Sequence, residues 1–405
     1  MTETQASYGR GTKTADRVLI AVFLTAICLP AADTIFHLDP TPHNMEHAPR
    51  KRLPRLEPPV SLGSIRQYLR SWKVYLPANF GFRRILLRAC NMAELRMFGR
   101  FSTPVVLHGQ SGWLVYGSGL NLGAPWSLSV EGLENWRSSL EWRRDWCRAR
   151  GLPYLLVLVP GPQTIYPETY PSFLTDPPPA SRLDQVISYL SEKSDLEILD
   201  LRGPLKEARS LGRLYQQTDT HWNDLGAYVG YREIMKRLAR WLPGLEATPI
   251  DDFDRFEESR LGGDLAGIIG LRDVFGEESG TQLLPRLPRR ASYPEGSLST
   301  ERMSTVRKMP LFATGVTQSS MPRAFIIRDS FTTAMIPFLA EHFSRIVFFW
   351  RDDHGSYQYF PADFIERESP DVVIDEFAEN MIWNNTVPKN VIPPGSTDGK
   401  LPAPD

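Results

Sequence analysis

Cysteine is scarce: Cys28, Cys90 and Cys147 are the only three in 405 residues, with no Cys-x-x-Cys pair and no zinc-ligand spacing. That argues against a disulfide framework and a structural zinc site. Cys90 and Cys147 have helical flanks and read as buried free thiols. Excess charge of either sign is missing as well. The net charge is −1, so nucleic acid is not an expected partner. No glycine-rich phosphate loop or dinucleotide fingerprint follows the first strand, where Pro160-Gly161-Pro162 stands instead. Internal repeats are absent. Asp-x-His at 219–221 can chelate, but the only other cluster, Asp352-Asp353-His354, does not complete a ligand set. Neither a metal nor a cofactor is expected.

What is present is an ordinary globular composition, 42% hydrophobic and 23% charged, with apolar material enough for a core. The length suits one large domain with appendages or two domains. Arg10, Lys13 and Arg17 precede an apolar run from Val18 to Ala32, which reaches spanning length only if extended past Asp33 to Phe36. No clear cleavage site follows it. We read 1–36 as an uncleaved signal anchor, with a cleaved signal peptide as the alternative. The 34 prolines gather in several clusters. Residues 37–62 read as a Pro-rich basic linker, 63–386 as the main domain, 273–322 as an insertion or long active-site loop, and 387–405 as a disordered tail.

Within the main domain, helical spacing covers 63–100, and two short strands flank the turn at Gly109–Gly112. An amphipathic helix covers 129–150. Strands and helices then alternate: strand Tyr154–Val159, helix 181–193, strand Leu196–Leu199, and a helix from Asn223 or Asp224 to about Leu242. Strand Phe325–Arg328, helix 331–343, and strands Arg345–Trp350 and Val372–Ile374 follow. This order predicts an α/β fold with a mainly parallel sheet.

Two distant segments carry the chemistry: Thr218-Asp219-Thr220-His221-Trp222-Asn223 and Phe325-Ile326-Ile327-Arg328-Asp329-Ser330-Phe331. Together they supply a carboxylate, an imidazole and a hydroxyl, the groups needed for nucleophilic acyl transfer. Ser330 follows an apolar strand and opens a helix, where backbone N–H groups can stabilise an oxyanion. Its plain reading is a helix N-cap. Asp219 is close enough to orient His221, and its plain reading is an acidic residue before a helix beside a surface His. Leu261-Gly262-Gly263-Asp264-Leu265-Ala266 reads as a helix start or as a donor of N–H groups near the site.

In order and spacing, these segments resemble the SGNH-hydrolase-like family of alginate O-acetylation proteins of bacterial exopolysaccharide systems. The resemblance rests on Asp219-Thr220-His221-Trp222-Asn223, Arg328-Asp329-Ser330-Phe331 and Gly262-Gly263-Asp264-Leu265-Ala266. Also matching are Gly112-Trp113-Leu114, Ile165-Tyr166-Pro167-Glu168, Ser369-Pro370-Asp371-Val372-Val373 and Asn79-Phe80-Gly81-Phe82-Arg83. It runs from about residue 64 to 385. It implies a flavodoxin-like three-layer α/β/α domain with Asp219, His221 and Ser330 as a catalytic triad. It further implies an anchored or periplasmic protein that takes acetyl groups from a membrane-bound O-acyltransferase and passes them to polysaccharide hydroxyls. Gln163 and Thr164 depart from the family pattern, which often has Lys before the Ile-Tyr-Pro-Glu segment. Trp222, Asn223 and Tyr166 are the candidate contacts to substrate.

Three functions follow as expectations. The first is an O-acetyltransferase working through an acetyl-serine on Ser330, on the periplasmic side of the inner membrane. The second is an acetylesterase with the same triad and water as acceptor. The third is a non-catalytic scaffold of an export complex.

Overall fold

The computed structural model describes residues 3–36, 38–40, 62–117, 128–174, 181–276, 278–293, 311–317, 320–351 and 360–383. Most of the expected linker, the expected tail and the Asp352-Asp353-His354 cluster lie outside these residues. The chain forms two compact units, Met1–Val106 with Leu261–Gly276, and Leu107–Arg260 with Glu277–Asp405.

The first unit includes the helices α1 (Glu3–Phe36), α2 (Leu62–Asn79) and α3 (Arg83–Phe98). Thr14–Thr34 of α1 is long and apolar enough to cross a membrane. The end of α1 packs against the α2–α3 turn. Asp33 accepts the Phe82 N–H at 2.8 Å, and a Cβ on Gly81 would fall 1.9 Å from the Pro30 carbonyl oxygen. Asn91 turns inward from α3 and donates to the Ile269 carbonyl at 2.8 Å. Cys90 on the same helix is exposed, contrary to the buried thiol expected; the helix presents its Asn91 face inward and its Cys90 face to solvent.

The second unit begins with two short paired strands, β1 (Val106–His108) and β2 (Leu114–Tyr116). Helix α4 (Val130–Arg148) starts at Ser129, whose side chain accepts the Gly132 N–H. There follow β3 (Tyr154–Val159), α5 (Arg182–Lys193), which opens with a Ser181–Asp184 capping box, β4 (Ile198–Asp200) and α6 (Asp224–Leu238). Strands β5 (Phe253–Arg260) and β6 (Glu278–Pro285) pair antiparallel as a separate two-stranded arm. Then come β7 (Leu311–Thr314), β8 (Arg323–Arg328), α7 (Thr332–Leu339), β9 (Arg345–Trp350), α8 (Ala362–Glu368), β10 (Val372–Ala378) and a short helix, Glu379–Trp383.

Six strands form the central sheet in the order β4-β3-β10-β8-β9-β7, all parallel except the edge strand β7. Side chains alternate across it, as the two-residue period of a strand requires. Leu155, Val157 and Val159 enter one core with α6 and α7, while Tyr154, Leu156 and Leu158 enter another with α4, α5 and α8. Helices thus cover both faces, which is why β3 is apolar throughout. This is the three-layer α/β/α domain expected from the sequence. Cys147 lies in the second core, where burial pushes its thiol up to about 12, and all three cysteines are free.

The span 273–322 carries strands that its sequence does not announce. Its described part contains β6 and β7, so it builds an arm strand and the sheet edge as well as loop. Strand β10 also runs on past Ile374 through Asp375 and Glu376, both buried. Asp375 turns toward α4 and receives bonds from Arg143 (2.7 Å) and Tyr154 (2.6 Å), and is paired with Arg351. Burial opposes its charge, but the Arg351 and Arg143 guanidiniums outweigh this and hold its carboxyl below the usual range.

Candidate active site

Ligands of open parallel sheets bind beyond the carboxyl ends of the strands. At that end of β8 the chain turns through Arg328-Asp329-Ser330 into α7. Arg328 and Asp329 are fully buried and Ser330 is half-buried. The Arg328 guanidinium lies 4.4 Å from the Trp350 ring centroid and 5.4 Å from that of Phe312, which fixes the end of the strand. Phe331, not Ser330, occupies the cap position of α7, and no side chain caps it. The Ser330 hydroxyl is directed elsewhere: its Oγ lies 2.7 Å from His221 Nε2.

His221 sits on a tight loop before α6. The loop is closed by the Asn223 N–H to the Leu214 carbonyl at 2.9 Å and the Gln216 N–H to the His221 carbonyl at 3.1 Å. Asn223 caps α6 through Oδ1, which accepts the Gly226 N–H at 3.1 Å, and its amide group donates to the Arg213 carbonyl at 2.6 Å. The loop presses so closely on α6 that a Cβ at Gly226 would lie 2.3 Å from the Leu214 carbonyl oxygen. The Trp222 indole N–H donates to the Phe331 carbonyl at 3.0 Å, tying the histidine loop to the serine turn. Asp219 completes the line. Its Oδ1 lies 2.6 Å from His221 Nδ1 and also accepts the His221 backbone N–H at 3.1 Å.

The structure therefore brings together Asp219, His221 and Ser330, which are 109 residues apart at the widest His–Ser step. Both imidazole nitrogens are engaged, Nδ1 by the carboxylate and Nε2 by the hydroxyl. This arrangement can deprotonate the serine and stabilise the imidazolium that results.

The structure places the three expected substrate contacts in the interior beside the site. Trp222 is 3% exposed, Asn223 2% and Tyr166 8%. Each is spent on scaffold: Trp222 on the Phe331 carbonyl, Asn223 on the helix cap, and Tyr166 on the Leu214 N–H, which its hydroxyl accepts at 3.0 Å. Their position beside the motif is real, but they shape the loop rather than face solvent. At the departure from the family pattern, Thr164 donates to Glu379 Oε2 at 2.7 Å, and the Gly161 N–H reaches the same oxygen at 2.7 Å. Burial raises the Glu379 carboxyl above its ordinary range. Gly263 caps the short helix Asp264–Ile268 in the first unit, as the helix-start reading expects.

Sequence reasoning missed two residues around the serine. Asp329 Oδ1 accepts the Phe331 N–H at 2.9 Å and Oδ2 the Ala378 N–H at 2.8 Å. Glu376 Oε2 accepts the Asp329 N–H and the Thr332 hydroxyl, both at 2.9 Å. The signal for Asp329 was its place in Arg-Asp-Ser; Glu376 offered only a charge beside an apolar strand.

A family model described as "SGNH hydrolase-like domain, acetyltransferase AlgX" matches residues 106–379. The chain is similar to a probable alginate O-acetylase AlgJ of Pseudomonas syringae pv. tomato, with 27% identity over 253 residues, 59% of this chain and 60% of that protein. It is also similar to a probable alginate O-acetylase AlgJ of Pseudomonas putida, with 22% identity over 325 residues, 76% of this chain and 78% of that protein. Among solved structures, Bacillus cereus PatB1 with a sulfonyl adduct superposes with a TM-score of 0.53 at 16% identity, covering 69% of this chain and 97% of that one.

Proposed function

The chain belongs to the alginate O-acetyltransferase-like family of SGNH hydrolase-like domains, and from that premise we propose that it transfers acetyl groups to hydroxyls of an exported polysaccharide through an acetyl-serine. The single observation that carries this reading is the line from Asp219 Oδ1 to His221 Nδ1 at 2.6 Å and from His221 Nε2 to Ser330 Oγ at 2.7 Å. Ser330 Oγ attacks the acetyl carbonyl while His221 Nε2 takes its proton. The tetrahedral intermediate collapses, the donor's oxygen or sulfur leaves, and His221 returns the proton to it. A sugar hydroxyl then attacks the acetyl-serine by the reverse sequence, with His221 again as base.

The oxyanion requires an N–H donor. Within the turn, the amides of Asp329, Phe331 and Thr333 are already spent, on Glu376, Asp329 and the Ser330 carbonyl. The Ser330 amide meets no acceptor among the described residues, and we assign it to the oxyanion.

The acetyl donor is a membrane-bound O-acyltransferase partner or its product, and the acceptor is the polysaccharide. Glycan from cells with and without the protein separates the readings by mass spectrometry. A transferase adds acetyl, whereas loss of acetyl in its presence would identify an esterase; no change in either direction would leave a scaffold.

Helix α1, long and apolar enough over Thr14–Thr34 to cross a membrane, is assigned as a membrane anchor that keeps the catalytic unit on the periplasmic side. The full chain is expected in the membrane pellet after an alkaline carbonate wash. Its release into the soluble fraction would remove the anchor.

A further inference from the structure

The acyl-serine reading uses Asp219, His221 and Ser330 and leaves two buried carboxyls beneath the nucleophile unexplained. Asp329 immediately precedes Ser330. Glu376 comes from β10, the strand hydrogen-bonded alongside β8. Both are buried, at 0% and 1% exposure. Their bonds converge on the turn: Glu376 Oε2 holds the Asp329 N–H and the Thr332 hydroxyl, and Asp329 Oδ1 holds the Phe331 N–H. Ser330 is thus bracketed on both sides, while Asp329 Oδ2 ties the turn to β10 through the Ala378 N–H.

We propose that Asp329 and Glu376 form a buried carboxyl pair that positions the Ser330 turn for acyl transfer. The proposal rests on the acyl-serine reading and names what keeps its nucleophile in place. By committing the amides on either side of Ser330, the pair leaves the Ser330 amide for the oxyanion.

Two full charges in one buried pocket repel, so such pairs retain a proton. Burial first, and the Asp329 charge second, push the Glu376 carboxyl well above its ordinary range. The surrounding charges do not reverse this. Arg351 donates to the Glu376 backbone carbonyl at 2.7 Å, but its side-chain partner is Asp375, on the opposite face of β10. Arg328 on β8 donates to Thr333 at 3.3 Å, and His221 approaches only through Ser330. Glu379, further along the chain, is itself pushed toward neutrality by burial. Raising the pH until Glu376 ionises would place a second charge below the serine, drive the carboxyls apart and oppose formation of the oxyanion.

The test compares pH profiles of kcat and KM for the full chain, E376Q, E376A and S330A on an artificial acetyl ester, corrected for spontaneous hydrolysis. The wild-type kcat should fall on the alkaline side. E376Q, which keeps an acceptor and cannot ionise, should rescue most of the neutral activity and lose that fall. E376A should lower kcat by about 10²-fold, the cost of a displaced reacting group, with KM little changed. An unchanged alkaline fall in E376Q, or full kcat in E376A, overturns the proposal. Should E376A fail to fold, the E376Q profile decides alone. Normal turnover by S330A would instead sink the acyl-serine reading and this proposal with it. A silent S330A beside an unaltered E376Q profile removes only the carboxyl pair.

Discussion

Ser330→Ala should lower acetyl transfer, and hydrolysis of an artificial acetyl ester, by at least about 10⁴-fold, a loss of about 5 kcal/mol of transition-state stabilisation. The expectation follows from the single role of the hydroxyl. Its Oγ is bonded to His221 Nε2, and helix α7 begins without a side-chain cap, so the fold does not depend on it. Removing one partly exposed hydrogen bond costs about 1 kcal/mol of stability. The melting temperature should therefore move little while activity disappears. Intact mass adds a direct readout: the wild-type chain incubated with donor should gain one acetyl group, and the variant none. Retained turnover with no acetyl on the protein would mean that the acceptor attacks the donor directly and that Ser330 is not the nucleophile.

The sheet was legible where strands are apolar and the sequence separation is filled by amphipathic helices. Arg345–Trp350 has the expected limits, and Tyr154–Val159 is buried on both faces as its composition requires. Strand β10 was cut short at Ile374 because Asp375 and Glu376 look like the start of a loop. They remain in the strand because each has buried partners on its own side of the sheet: Arg143, Arg351 and Tyr154 for Asp375, and the serine turn for Glu376. Nothing local reveals those partners, which lie 24 to 232 residues away. The β5–β6 arm was hidden for a different reason. It is largely exposed along β5, with sequence Phe253-Asp254-Arg255-Phe256-Glu257-Glu258-Ser259-Arg260, and so lacks the apolar alternation that marks a half-buried strand.

The same contrast holds at the site. Asp219, His221 and Ser330 could be named because together they supply a carboxylate, an imidazole and a hydroxyl, in segments whose order and spacing match the family, although each segment alone also has a plain use as a helix start. For Trp222 and Tyr166 the sequence left two roles open, because an aromatic beside such a motif can either face a glycan or brace a loop. Burial decides between the two, and burial is a property of the assembled layers. The Trp222 indole N–H joins the loop bearing His221 to the turn bearing Ser330, and so holds the two halves of the candidate site in register.

Asp219→Asn should reduce kcat by about 10³- to 10⁴-fold with KM nearly unchanged. One oxygen of this carboxylate serves both the His221 ring and the His221 backbone N–H. Asparagine can answer that geometry in two ways, and both fail. With its oxygen toward Nδ1 it preserves the tautomer but removes the negative charge that stabilises the imidazolium formed when Ser330 gives up its proton. With its NH₂ group toward Nδ1 it forces that nitrogen to accept, leaving the proton on Nε2, which then donates to Ser330 and cannot deprotonate it. The buried cap at Asn223 and the Trp222 bond to Phe331 are untouched in either case, so the loop keeps its shape. The discriminating measurement is the rate at which a sulfonyl fluoride modifies Ser330, since that reaction needs an activated hydroxyl and no acceptor sugar. It should fall in the same proportion as kcat. If modification stays at the wild-type rate while kcat falls, the charge on Asp219 acts on the acceptor and not on the serine, and the line from Asp219 through His221 to Ser330 is not how the nucleophile is activated.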